Sequence, residues 1–145
     1  MRKLVLGLTL VSFALAACTG PGASSDDPTA RANASSDASS AAVTDCGTYD
    51  LSQGEGLPDS AIRCFIEAVQ ARHRARLMET RPTIEGDPIP VTYIADADGR
   101  VEVITDSRQD TFGSQIIEHQ TCTGPTAAPG WLSFAQCSEP TPSRT

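Results

Sequence analysis

Reactive side chains are few in this chain of 145 residues: five cysteines, two histidines and short loops carrying carboxylates. Cys18 closes the string Leu15-Ala16-Ala17-Cys18, where a branched apolar residue and two small ones precede a thiol. Small side chains let an extended backbone enter a narrow protease site. The thiol is a nucleophile to which a diacylglyceryl group can be transferred. Upstream, Arg2 and Lys3 precede the uncharged run Leu4–Ala17, fourteen residues long. That run is too short for a bilayer core, which takes roughly 20 residues, and has the form of the apolar region of a secretory leader. Cys18 is the expected lipidation site, with cleavage before it.

The string resembles a bacterial lipobox. Each buried methylene of an acyl chain contributes about 0.8 kcal/mol, so one chain holds a protein marginally and two hold it stably. The expectation is a protein exported to the cell envelope (cell surface or periplasm) that meets the membrane through its lipid anchor. Removing residues 1–17 takes away Arg2 and Lys3 and moves the net charge from -7 to about -9. Such a body is not drawn to anionic lipid by charge. Nor does it carry the basic stripe of a nucleic-acid reader.

Four more cysteines follow: Cys46, Cys64, Cys122 and Cys137. Export places them in an oxidising compartment, which favours two disulfides. Four cysteines allow three pairings. Cys46–Cys64 and Cys122–Cys137 are preferred because each closes a local loop. Cys64 lies roughly opposite the apolar stripe of its helix, so Cys46 must approach over the outside of that helix.

The remaining candidates point to structural roles. Asp96, Asp98 and Glu102 resemble part of a calcium loop, but Gly99 arrives early and a strand follows, as in a hairpin turn. Glu85 and Asp87 form one acidic loop and Asp106 and Asp110 another; if the loops meet, carboxylates could pair as acid and base, or Arg81 and Arg108 could bind them as ion pairs. His119 lacks a GxSxG nucleophile and reads as an exposed strand residue. His73 sits among Arg72, Arg74 and Arg76 at a helix end. Trp131 reads as a core anchor beside Cys137. No catalytic residue, metal site or cofactor is expected.

These residues need elements to hold them. Residues 18–44, the lipidated cysteine and a Ser-, Ala- and Asp-rich run, read as a disordered tether, with a span of about 25–31 Å. Residues 45–137 read as the folded head and 138–145 as a loose tail. Pro58-Asp59-Ser60 opens a helix over 58–74, with the stripe Ile62, Phe65, Ile66 and Val69. The period then changes to two. Strands are expected over 76–84, 89–95, 100–105 and 115–122, with a short fifth over 131–137. Pro90 argues that its strand lies at an edge or begins late. The expected fold class is α+β, one helix packed on an antiparallel β-meander of four to five strands and stapled by disulfides.

The string Thr83-Ile84-Glu85-Gly86-Asp87-Pro88-Ile89, the region Asp106–Gly113 and the late Thr121-Cys122 with a closing cysteine resemble a family of small bacterial lipoproteins of unknown function. The resemblance covers residues 76–137. It implies an exported α+β domain with a Cys122–Cys137 bridge and implies no activity. The leading expectation is a non-catalytic envelope module that binds a protein or another envelope ligand. The alternative is a small envelope enzyme or inhibitor using the acidic loops.

Overall fold

The computed structural model describes residues 42–143. The expected leader 1–17, Cys18 and the tether as far as residue 41 lie outside the described residues, as do 144 and 145 of the tail. Among the described residues no helix is long and apolar enough to cross a membrane.

Seven strands and one helix follow in the order β1 (Thr44–Asp50), α1 (Asp59–Gln70), β2 (Ala75–Pro82), β3 (Pro88–Ala95), β4 (Arg100–Asp106), β5 (Ile117–Ala128), β6 (Trp131–Cys137) and β7 (Thr141–Ser143). They form one sheet in the order β1-β2-β3-β4-β5-β6, with β7 also paired to β5. The class is α+β, as expected, but the sheet is larger than a four- to five-stranded meander and it is mixed. β1 runs parallel to β2, while β2 to β6 are antiparallel. A parallel neighbour requires a crossover, and α1 is that crossover.

The helix begins where Pro58 sets the extended N-cap and Asp59 sits in the first turn. Ala61, Ile62, Phe65, Ala68 and Val69 are buried, and Ile66 is partly buried against them. It ends four residues before the expected 74. Arg72 takes φ 59°, Arg72 N–H donates to Val69 O and His73 N–H to Ala68 O. This is a Schellman ending with an arginine in the position glycine usually fills. Arg72 and Arg74 therefore lie beyond the helix; Arg72 Nη1 donates to the carbonyl of Asp98.

Three further expectations are corrected. Pro90 lies in a central strand, but the β3–β4 ladder starts only at Val91, so at Pro90 the strand has β2 as its ladder partner and is locally an edge. β5 runs on to Ala128, six residues past Cys122. The tail is not loose throughout, since Thr141–Ser143 pairs with Ile117–His119.

The sheet curls. Leu57 N–H donates to Gly130 O at 2.8 Å, so the loop after β1 touches the β5–β6 turn although β1 and β6 end the strand order. Gly124 lets this happen. Cys122 and Cys137 are paired across β5–β6, and strict alternation would place Leu132 and Phe134 on the face opposite them. Yet Cys122 and Leu132 are both buried, and Phe134 packs on the same core. Gly124, with φ 63°, turns the ribbon over between them.

Both disulfides are present, Cys46–Cys64 and Cys122–Cys137. The first ties β1 to α1, and Cys64 is partly buried against the core. The second ties β5 to β6 at the ladder pair that lies in the core row of Val101.

Candidate functional site

The inner face of the sheet is read off the ladders. Ala75, Leu77, Glu79 and Arg81 alternate along β2 and oppose Ala95, Tyr93, Val91 and Ile89 on β3. Val101, Val103 and Thr105 continue those rows on β4, and Cys122 and Gln120 on β5. The helix packs over one end of this face, where Ala75, Leu77, Ala95 and Val101 are buried. Beyond the helix Val91, Tyr93 and Val103 remain buried, with Leu132 and Phe134 on the same core. Arg81, Ile89, Val91, Tyr93, Val103 and Thr105 with Leu132 and Phe134 line a pocket of about 410 Å³ there. That volume lies within the range of small-molecule sites, about 300–1,000 Å³.

On the same face, paired with Val91 in the ladder, stands Glu79, 1% exposed in an otherwise apolar core. A buried carboxylate requires partners. Tyr93 Oη donates to Glu79 Oε1 at 2.6 Å, Arg81 Nη2 donates to the same oxygen, and Arg81 Nη2 lies 3.0 Å from Tyr93 Oη. Glu79 Oε2 is buried without a partner. Burial, helped by the bond to Glu79, pushes the Tyr93 phenol well above its ordinary value, so it remains a donor. The bond to Glu79 raises the Arg81 guanidinium further, against the opposing effect of its partial burial. Tyr93 is wedged between Phe65 and Phe134, with ring centroids 6.1 and 6.2 Å away. These contacts fix the acid, phenol and guanidinium before any ligand arrives.

The residues singled out in the sequence lie elsewhere. Asp96 Oδ1 accepts N–H bonds from Asp98 and Arg100, both at 2.9 Å, and Arg100 bridges to both aspartates. The slight burial of Asp96 pushes its carboxyl up, but those N–H bonds and the Arg100 charge outweigh this and hold it low. This is a hairpin turn whose oxygens are already occupied. Among the described residues no three His, Cys, Asp or Glu side chains converge as a metal site would need. Glu102 points to the outer face and lies 2.8 Å from Nδ1 of half-exposed His119. His73 is exposed.

The two acidic loops do meet. Asp87 Oδ2 accepts from Thr111 N–H at 2.8 Å. Their carboxylates are not paired as acid and base, however. Asp110 Oδ1 accepts from Phe112 and Gly113 N–H, and Asp106 is bound by Arg108, whose hydrogen bond holds its carboxyl below the usual range. Of the two arginines expected to serve these loops, Arg108 does and Arg81 instead serves Glu79. Trp131 is not a core anchor. It is 52% exposed at the β5–β6 turn, and its neighbour Leu132 enters the core.

No protein-family model, curated protein or solved structure matches the chain. The Glu79–Tyr93–Arg81 cluster therefore stands on its own geometry. In the sequence, a charged residue between Met78 and Thr80 has the look of a solvated one. The available signal was the strand period: counting by two from Leu77 lands on Glu79 and then Arg81.

Proposed function

We propose that this chain is an exported, lipid-anchored envelope protein whose head binds a small ligand without transforming it. The observation that carries the reading is the recess at the end of the inner sheet face away from the helix, a pocket with mixed apolar and polar walls whose lining residues Arg81 and Tyr93 are fixed by Glu79. The lipobox-like string ending at Cys18 and the resemblance over residues 76–137 supply the envelope setting. Catalysis by the acidic loops is the weaker reading, because Asp87, Asp106 and Asp110 are each engaged by a backbone N–H or an arginine. The test is a small-molecule screen on the full chain read by methyl NMR. Binders should perturb Ile89, Val91, Val103 and Leu132. Hits confined to the acidic loops, or no hit on those methyls, would overturn the proposal.

A further inference from the structure

Resting on that reading, we infer that the pocket takes a small amphiphile: a short aliphatic body against Val91, Val103, Leu132 and Phe134, with a carbonyl-type oxygen accepting from Arg81. The apolar part follows from the aliphatic side chains of Ile89, Val91, Val103 and Leu132 and the rings of Tyr93 and Phe134, which share the lining with the polar side chains of Arg81, Thr105 and Gln120. The head follows from the arginine. Guanidinium carries five N–H donors. Glu79 and Tyr93 engage Nη2 alone, and the side chain of Arg81 remains 43% exposed. The other donors are held in place by the buried carboxylate and have no protein acceptor among the described residues. Glu79 also balances the guanidinium charge, so the head is selected as an acceptor rather than as a counter-ion, and both a carboxylate and a neutral carbonyl fit. Size follows from the volume: at about 30 Å³ for each water-sized group, 410 Å³ holds on the order of a dozen heavy atoms.

The experiment titrates the full chain with decanoate, decanamide and decyltrimethylammonium, following the Val91, Val103 and Leu132 methyls by NMR. Decanoate or decanamide should bind at least tenfold more tightly than the ammonium, and comparison of the first two tells a charged from an uncharged head. Because Arg81→Met alone strands a buried carboxylate, the matching variant is Glu79→Gln with Arg81→Met. It should remain folded and lose at least tenfold in affinity for the acceptor-headed ligand. Equal binding of the ammonium, or undiminished binding by the double variant, overturns the inference. If none of the three binds but a compound of other chemistry shifts the same methyls, the amphiphile falls and the binding-module reading survives. If nothing in the broader screen shifts them, both fall.

Discussion

Glu79 is a carboxyl side chain inside an apolar interior, and two neighbouring side chains, Tyr93 and Arg81, satisfy it. Removing one partner of a buried ion pair costs about 3–5 kcal/mol, because the other charge is left uncompensated. Arg81 is 43% exposed, so water screens part of this pair, and Arg81→Met should lower stability by less than that, about 1–3 kcal/mol in urea unfolding. Tyr93→Phe removes one hydrogen bond to the same oxygen and should cost about 1–3 kcal/mol. Glu79→Gln in the Arg81→Met background should recover most of the first loss; failure to recover would show that packing of the arginine stem, and not charge, sets the cost. The partly exposed acids Asp96 and Asp106 behave differently. Asp96 and Asp106 have depressed folded-state values. What they add is complete above the unfolded-chain value, about 3.9, and is lost as pH falls through the lower folded-state values. Melting temperature should fall as the pH drops below about 4, with a smaller fall in Arg108→Ala; a flat profile down to about pH 2.5 would contradict this. At this scale the sequence was legible where a residue's company was local. The Asp96–Gly99 turn is made by neighbours in the chain, whereas Glu79 meets Tyr93 across 14 positions.

Among the elements, legibility followed burial pattern. The helix stripe of Ile62, Phe65 and Val69 was plain because three or four apolar residues share one face. β6 was bounded as it stands, from Trp131 to Cys137. β1 was not found, since its seven residues bury only Cys46 and its register slips between Asp45 and Thr48, around Gly47 at φ 105°. An edge strand with one buried side chain has no period to read. Trp131 departs from the expected core position because, although large aromatic rings normally seek the core, its place at the hairpin tip leaves it outside. The reversal at Gly124 makes the strongest element-scale prediction. A Cβ there would lie 2.9 Å from the Cβ of Ala135, in a backbone region that L residues avoid. Gly124→Ala should cost about 1–2 kcal/mol from the backbone alone, and more if Ala135 cannot yield. The same variant should broaden the Leu132 and Phe134 NMR signals, because the ribbon no longer turns those side chains inward. Sharp signals and an unchanged melting temperature would remove Gly124 from this role.

For the whole molecule, the central question is what fastens the head in place. On the proposed lipid anchoring, Cys18→Ala should shift the protein from the membrane pellet to the soluble fraction, since an acidic body without acyl chains has no other hold on anionic lipid. Persistence in the pellet would defeat the lipid anchor. The architecture also determines how any pull along the N-terminal chain enters the domain. Load would arrive at Thr44, the first residue of an edge strand whose ladder to β2 could be peeled. It can separate only Thr44 and Asp45 before it reaches Cys46, where a covalent link passes the tension to Cys64 in the middle of α1. Any such pull thus grips the domain by its crossover helix, and a reductant would leave β1 as a strand that can be unpicked.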